Sequence, residues 1–217
     1  HWPALDLAQT PARWLSMLFE RRLPHFVQKG YSKADGNKAA AGRTHPFDFD
    51  MPLLCAGFLD DLARHPATRQ RDVLDAYFSA YFTAWSDHEP TGRERWFTGF
   101  TPRLLGYRES VLGFRRDYPD GLLIACIRDP RSWYVSSSRH DAEYARVDHA
   151  MHLWRQSTTA ALELLEHHPG SVFVTTYEAL THETGTEMRR LAARLGIEFT
   201  PTLLEPTYLG RPILPNS

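Results

Sequence analysis

The sequence has little cysteine, little net charge and no long apolar run. Cys55 and Cys126 are its only cysteines. Two isolated thiols do not make a disulfide framework and fit a reducing compartment, so we expect a cytoplasmic protein. The formal net charge is -1, from 25 basic and 26 acidic residues, which argues against a general nucleic-acid or membrane-surface binder. The apolar runs are far shorter than the roughly 18 residues of a transmembrane helix.

The composition is that of a folded globular protein. Hydrophobic residues make up 42% and aromatic residues 12% of the chain, which is typical of a packed core rather than of a disordered segment. A length of 217 residues suits one α/β domain. The sequence starts at His1 in the middle of a helix-like pattern, and we expect it to be part of a longer protein that continues at both ends.

Amphipathic periodicity predicts a set of helices. Thr10-Pro11 is a preferred helix start, with Thr as the N-cap and Pro at the first helical position. Apolar side chains at helical spacing predict four further helices, over Asp72–Trp85, Leu104–Tyr118, Val147–Leu165 and Ala179–Leu195. Polar, Gly-rich residues predict a loop over 28–44, and HPFDFDMP, which contains two prolines, predicts a second loop.

Two apolar runs predict strands. Leu122–Ile127 lacks polar alternation, which is typical of a parallel strand covered on both faces. Ser171–Thr176 is the second strand, and a short third strand is expected near Trp96. The alternation of strands and helices predicts the α/β class, as a single domain with a central parallel sheet flanked by helices.

The carboxyl ends of these strands predict a ligand site, because ligands of open parallel sheets bind there. The first strand ends at Arg128 and the second at Tyr177, and the weaker third strand would end near Thr98. A permanent cation beside an aromatic ring with a hydroxyl suits a flat anionic ligand, with a phosphate on the Arg and a nucleobase on the Tyr. Alternatively, Arg128 pairs with a carboxylate on a neighbouring loop.

A helix is expected to start directly after Arg128. Asp129-Pro130 is a second cap-and-proline start, and this helix would add backbone N–H groups and a positive dipole end to the site. Ser136, Ser137 and Ser138 follow about two turns later, although Ser is a mediocre helix residue. Either one of them binds a ligand, or they form a small-residue face that lets another helix approach.

The histidines do not predict a metal site. His149 and His152 lie one turn apart on a predicted helix, and His167-His168 end it. A zinc site needs a third convergent ligand with second-shell support, and no candidate for it is evident. We therefore expect surface histidines and no metal.

The segment IRDPRSWYVSSSRH resembles the 3′-phosphate-binding segment of sulfotransferases that use 3′-phosphoadenosine-5′-phosphosulfate (PAPS). In that pattern an Arg closes a strand and a Ser follows eight residues later, positions held here by Arg128 and Ser136. The family's segment directly before this motif is similar to FTPRLLGYRESVLGFRRDYPDGLLIACIRDP here. VFVTTYEALTHETGTEMRRLAARLGIEF is similar to the family's strand, Tyr-Glu and helix, which implies that Tyr177 contacts the adenine. LLEPTYLGRPILPNS resembles the C-terminal loop that closes over the cofactor, particularly in bacterial members. By its position in this loop Arg211 could help to grip a cofactor phosphate; alternatively, it is a surface residue.

The resemblance covers Phe97–Ser217 well and the preceding part loosely, and it departs from the family at two places. The family's Gly- and Ser-rich P-loop, which cradles the 5′-phosphosulfate, is not found, because GYSKADGNKA has neither a preceding apolar strand nor the Ser or Thr after its Lys. We expect that strand and loop to precede His1. The Lys of the family's Lys-Thr-Pro step is replaced by Phe100, so the resemblance leaves the catalytic group unassigned.

The resemblance implies a P-loop-like sulfotransferase domain over 1–217, with a mainly helical acceptor-side region in 1–90 and an α/β part carrying the 3′-phosphate site in 91–217. It implies transfer of a sulfuryl group from PAPS to a hydroxyl or amine by in-line displacement, with adenosine 3′,5′-bisphosphate as the product. A base is then needed, for which the candidates are His45, Asp48 and Asp50. Alternatively, these residues form a solvent-exposed acidic loop.

Two other functions stay open. The chain could be a catalytically inactive relative that binds a nucleotide or a partner protein, or, less well supported, a small-molecule kinase. A kinase needs a carboxylate that holds Mg²⁺, and the candidate at this site, Asp129, is predicted mainly as a helix cap. The acceptor is open as well, since a small alcohol, a phenol, a lipid or a sugar would all fit, and the sequence does not decide the oligomeric state.

Overall fold

The computed structural model describes residues 2–20, 50–85, 92, 94–101, 104–139, 142–208 and 211–212. These residues gather into two compact units. One unit is made of the described part of 3–100, and the other of Trp2 with the described part of 101–213. The prediction that 1–217 is one domain stays a prediction.

The unit within 3–100 is helical. Its helices are α1 (Pro11–Glu20), α2 (Met51–Arg64) and α3 (Gln70–Ala84). Its core is formed by apolar and aromatic side chains from all three helices, among them Trp14, Leu54, Phe58, Val73 and Tyr77. Helix α1 begins at the predicted Thr10-Pro11 step, whereas α2 was not predicted, because its start lies inside the segment that HPFDFDMP predicted as a loop.

The start of α3 carries a capping box. The side chain of Asp72 accepts hydrogen bonds from the backbone N–H groups of Thr68 and Arg69, at 3.0 and 2.9 Å, and from the Arg69 guanidinium at 2.9 Å. Burial opposes ionisation of this carboxyl, but these hydrogen bonds outweigh it and lower the pKa of Asp72 to about 2.

The third predicted strand, near Trp96, is wrong. Residues 94–101 contain no strand. The aromatic residues of this segment instead pack on α3, where the Phe97 ring stacks on Phe78 at 4.1 Å between centroids and meets Phe82 edge-on at 4.9 Å. Aromatic side chains that reach a helix surface in this way need no partner strand.

The second unit carries the sheet. Its elements are, in order, α4 (Arg108–Asp117), β1 (Leu123–Ile127), α5 (Pro130–Ser137), α6 (Val147–His167), β2 (Val172–Thr176), α7 (Tyr177–His182), α8 (Thr184–Leu195), β3 (Thr207–Tyr208) and β4 (Arg211–Pro212). Short 3-10 turns lie at Leu104–Gly106, Ala142–Tyr144 and Pro201–Leu204. The predicted helix over 104–118 is thus a 3-10 turn followed by α4, and the one over 179–195 starts earlier and is interrupted at Glu183.

The predicted parallel pairing is confirmed. Strands β1 and β2 pair in parallel, with Leu123 opposite Val172 and Ile127 opposite Thr176, and β3 and β4 form a small antiparallel pair. The α/β class with a parallel sheet and flanking helices is therefore confirmed.

Strand β1 is covered less completely than the sequence predicted. Leu123 and Ala125 are buried, whereas the alternate residues Ile124 and Cys126 are exposed, Ile124 by 48%. Successive side chains of a strand point to opposite faces, so one face of β1 packs into the core with Val172 and Leu104 while the other remains uncovered by the described residues.

Two polar contacts, one of them buried, hold elements of this unit together. Thr175 in β2 donates a hydrogen bond to Glu187 of α8 at 2.6 Å, and Arg190 pairs with the same carboxylate. The Thr175 hydroxyl first and Arg190 second lower the pKa of Glu187. On α4, the backbone N–H of Trp2 donates to Ser110 at 3.0 Å.

Candidate functional site

The ends of β1 and β2 form the predicted common edge. Because Ile127 lies opposite Thr176 in the parallel register, the next residues along the two strands, Arg128 and Tyr177, leave the sheet side by side. The sequence predicted this juxtaposition from the strand ends alone, and the register confirms it. The third strand end expected there, near Thr98, does not exist in the described structure.

Arg128 and Tyr177 are in direct contact. The guanidinium carbon of Arg128 lies 4.3 Å from the centroid of the Tyr177 ring, which is a cation–π contact. The Tyr177 residue is 43% exposed, whereas Arg128 is half-buried. The ring therefore covers one face of the guanidinium and leaves its edge, which carries the N–H groups, uncovered by Tyr177.

One of those N–H groups has no partner. The Nε atom of Arg128 is buried and makes no hydrogen bond within the part of the chain that the structure describes. A buried donor of a charged group that stays unpaired is costly, and the alternative that Arg128 pairs with a neighbouring carboxylate finds no such partner among the described residues. The arrangement can therefore accept an anion.

The N-terminus of α5 is closed by its own cap, which corrects one expectation. The Asp129 carboxylate accepts hydrogen bonds from the backbone N–H groups of Arg131 and Ser132, at 3.1 and 2.9 Å, and Pro130 has no N–H to offer. The Ser132 N–H is the largest influence on this carboxyl and lowers the pKa of Asp129. The first-turn donors are thus occupied, so an anion at this edge would meet side chains rather than the helix N-terminus.

The three serines lie at the far end of the same short helix. Ser136 and Ser137 form the last turn of α5 and Ser138 is its C-cap, and all three are half-buried. Ser136 follows Asp129 by about two helical turns, which puts it on the helix face of that N-cap residue. Its part in phosphate binding stays a prediction.

Two further residues contact the turn that carries Arg128, and sequence reasoning did not single them out. The indole N–H of Trp154 in α6 donates to the backbone carbonyl of Arg128 at 3.0 Å. The Glu178 carboxylate accepts a hydrogen bond from the backbone N–H of Asp129 at 3.1 Å. Glu178 was signalled by its place directly after Tyr177, but nothing in the helical periodicity around Trp154 distinguishes it from a core residue.

The neighbouring thiol of Cys126 is not activated. Desolvation by the surrounding protein atoms first, and the negative charge of Glu178 next, raise the pKa of Cys126, against a lowering by Arg128. The thiol therefore stays protonated at neutral pH and is a poor nucleophile.

The remaining candidate residues lie elsewhere. Asp50 is the N-cap of α2, where its Oδ1 accepts the backbone N–H of Leu53 at 2.8 Å. His45 and Asp48 lie outside the described residues, and of Arg211 only the backbone is described, in β4.

The described histidines do not form a metal centre. No group of three or more His, Cys, Asp or Glu side chains in the described ranges is arranged to hold a metal ion. His149 and His152 line a shallow surface depression with Glu143, and the His149 Nε2 atom lies 3.9 Å from a Glu143 carboxylate oxygen.

None of the helices given above combines the length and the apolar character that a bilayer span requires.

Comparison with known proteins gives one match. A family model described as "Sulfotransferase family" matches residues 10–201. No curated protein and no solved structure matches the chain significantly. The matched span covers most of the 217 residues and contains Arg128, Ser136 and Tyr177. Membership of this family indicates a transferase of sulfuryl groups and implies a P-loop-like fold. The chain therefore belongs to the sulfotransferase family.

Proposed function

We propose that this protein transfers a sulfuryl group from PAPS to a hydroxyl or amine of an acceptor by in-line displacement, and that Arg128 and Ser136 bind the 3′-phosphate of the donor. PAPS, when bound, supplies the sulfuryl group, and adenosine 3′,5′-bisphosphate leaves. The residues at the joint end of β1 and β2 bind and orient this nucleotide.

The proposal rests on the contacts of Arg128 and on its unpaired Nε–H group. Its guanidinium is held by its face on Tyr177 at 4.3 Å, and its buried Nε has no partner among the described residues. A phosphate is a ligand that satisfies such a group, since it accepts two parallel N–H bonds from one guanidinium. The donor set at the strand ends therefore fits the 3′-phosphate.

The adenine would lie next to Tyr177. One face of the Tyr177 ring is covered by Arg128, but the residue keeps 43% of its surface exposed, which leaves ring edge and hydroxyl for contact with a base. Arg211, in the segment that resembles the closing loop of the family, would add a second cation for a phosphate.

The acceptor and the base belong to the region before the sheet. We assign the acceptor side to 1–90 and the nucleotide side to 91–217 of one domain, with His45, Asp48 and Asp50 as candidate bases. If Asp50 is the base, its Oδ2 takes the proton, because Oδ1 accepts the cap hydrogen bond from Leu53. The acceptor would be a small molecule, a lipid or a sugar with a free hydroxyl or amine, and we place the enzyme in the cytoplasm.

Calorimetry with adenosine 3′,5′-bisphosphate tests the proposal. Wild-type protein should bind it, and Arg128→Ala should weaken binding by roughly 10–100-fold, which corresponds to the loss of a hydrogen bond to a charged group. Arg155→Ala is the matched control, since Arg155 is exposed on α6 and its loss should leave affinity unchanged. Absence of binding by the wild type, or equal binding by Arg128→Ala, would refute the nucleotide site.

Transfer itself is tested separately. The protein is incubated with sulfur-labelled PAPS and a panel of alcohols, phenols, amines, sugars and lipids, and label in any acceptor supports the activity. Binding of the bisphosphate without transfer to any acceptor class would instead favour a catalytically inactive relative.

A further inference from the structure

The peptide unit that joins Arg128 to Asp129 is held from both sides by side chains of other helices. Its carbonyl oxygen accepts the indole N–H of Trp154 at 3.0 Å, and its N–H donates to the Glu178 carboxylate at 3.1 Å. A peptide unit is planar and rigid, so these two bonds fix the plane as a whole. Both bonds join a side chain, from Trp154 in α6 or Glu178 in α7, to the backbone of the turn. Neither is part of the backbone hydrogen-bond pattern of a helix or a strand.

This plane holds the Cα atom of Arg128, from which the side chain starts, in its place at the end of β1. Turning the plane changes ψ of Arg128 and φ of Asp129, which are soft dihedrals of the chain at this point. Strand β1 has ended at Ile127 and α5 starts at Pro130. The cap of α5 uses the carboxylate and the carbonyl of Asp129, so the peptide unit between Arg128 and Asp129 takes no part in it. The clamp from Trp154 and Glu178 restrains this peptide unit instead.

The Arg128 side chain depends on its backbone more than most arginines do. No described residue receives a hydrogen bond from its buried Nε, and its guanidinium is held only by the face of Tyr177. A cation–π contact restrains the distance of the guanidinium from the ring and tolerates sliding across it. The orientation of the N–H groups toward a phosphate must therefore be set from the backbone side.

We propose that Trp154 and Glu178 are positioning residues for the phosphate site. They clamp the Arg128–Asp129 peptide, aim the Arg128 guanidinium, and so determine how strongly a 3′-phosphate is preferred, acting through Arg128. This inference rests on the proposed function.

The test measures a preference between two nucleotides. The dissociation constants of adenosine 3′,5′-bisphosphate and of adenosine 5′-phosphate are determined by calorimetry, and their ratio isolates the 3′-phosphate because both ligands share the adenine and the 5′-phosphate. Trp154→Phe removes the indole donor and keeps a ring, and should lower the preference for the bisphosphate about fivefold, as expected for one lost hydrogen bond.

A tryptophan in the other unit provides the matched control. The indole of Trp14 donates to the backbone carbonyl of Asp6 at 2.7 Å, so Trp14→Phe removes the same kind of bond at a place remote from the site in sequence. This control should lower thermal stability without changing the ratio of the two dissociation constants.

Glu178 separates geometry from charge. Glu178→Gln keeps a carbonyl oxygen that can accept the Asp129 N–H and removes a negative charge, so it should preserve the preference for the bisphosphate. Glu178→Ala removes the acceptor and should lower the preference by a similar factor to Trp154→Phe. When Arg128 is also replaced by Ala, Trp154→Phe and Glu178→Ala should no longer lower the preference for the bisphosphate, because both residues act only through the Arg128 guanidinium.

The outcomes distinguish the two proposals. A wild-type protein without preference for the bisphosphate overturns the phosphate site and this inference with it. A preference that falls in Arg128→Ala but is unchanged in both Trp154→Phe and Glu178→Ala overturns only the positioning role. If Trp154→Phe does not fold, Glu178→Ala with its Gln counterpart gives the same decision.

Discussion

The cation–π contact at the strand ends leads to a prediction for Tyr177. Replacement of Tyr177 by Leu removes the ring face on which the Arg128 guanidinium lies at 4.3 Å, whereas replacement by Phe keeps that face and removes only the hydroxyl. We therefore expect Tyr177→Leu to loosen Arg128 and Tyr177→Phe to leave it in place.

The size of the effect follows from the exposure of the ring. Cation–π contacts contribute about 0.5–1 kcal/mol at exposed sites and about 2 kcal/mol when desolvated. Tyr177 is 43% exposed, which favours a value of about 1 kcal/mol and a loss of about fivefold in affinity for a 3′-phosphate. Because the ring would also touch adenine, the effect must be separated from a general loss of nucleotide affinity.

The assay compares adenosine 3′,5′-bisphosphate with adenosine 5′-phosphate by calorimetry for wild type, Tyr177→Phe and Tyr177→Leu. A loss of adenine contact weakens both ligands equally, whereas a loosened Arg128 weakens only the bisphosphate. An equal loss for Phe and Leu would refute the role of the ring face, and an unchanged ratio in Tyr177→Leu would show that the stacking does not prepare Arg128 for the phosphate.

Three further predictions concern stability. Gly113→Ala should lower the melting temperature, because an added Cβ would lie 2.8 Å from the Trp2 ring. Such overpacking costs about 1–3 kcal/mol, which exceeds the gain in helix propensity of about 1 kcal/mol. Gly170→Ala is the control, since nothing lies within 4 Å of an added Cβ there. Asp72→Asn should cost about 1 kcal/mol at neutral pH. Folding lowers the pKa of Asp72 to about 2, so the ionised carboxylate contributes its full stabilisation above the unfolded pKa. The difference in unfolding free energy between wild type and Asp72→Asn should therefore vanish as the pH falls from about 4 to 2. A difference that stays constant over this range contradicts the prediction. Glu187→Ala should lower the denaturation midpoint in urea by an amount equivalent to about 2 kcal/mol, and an unchanged midpoint would refute its anchoring role.

The sequence predicted those parts of the fold that local chemistry determines. Cap residues located the starts of α1 and α5, and the apolar runs located both strands to within one residue of their starts. The parallel pairing then followed from general rules for α/β proteins, and with it the common edge that holds Arg128 and Tyr177, whereas the register and the direct contact of these two residues come from the structure.

The sequence failed where tertiary contacts override local pattern. The aromatic residues near Trp96 resemble a strand, but Phe97 packs on α3 instead. Asp129 was correctly predicted as a cap, yet its consequence was missed, because a carboxylate that satisfies the first-turn N–H groups also removes them as anion donors. The Trp154 contact depends on the path of α6 past the turn, which no spacing rule reveals.

The parallel pairing of β1 and β2 also has a consequence for the order of folding. Asp129 and Glu178 are 49 positions apart in the chain, so their hydrogen bond requires the whole crossover through α5 and α6 to close. Non-local parallel pairings of this kind form slowly, because the entropy of loop closure must be overcome before the contacts compensate it. Helices α2 and α3, by contrast, are joined by the short connection 65–69 and pack on each other through shorter separations. We therefore expect protection of the β1 amides from hydrogen exchange to appear late during refolding, and the proposed nucleotide site to be completed only at that step.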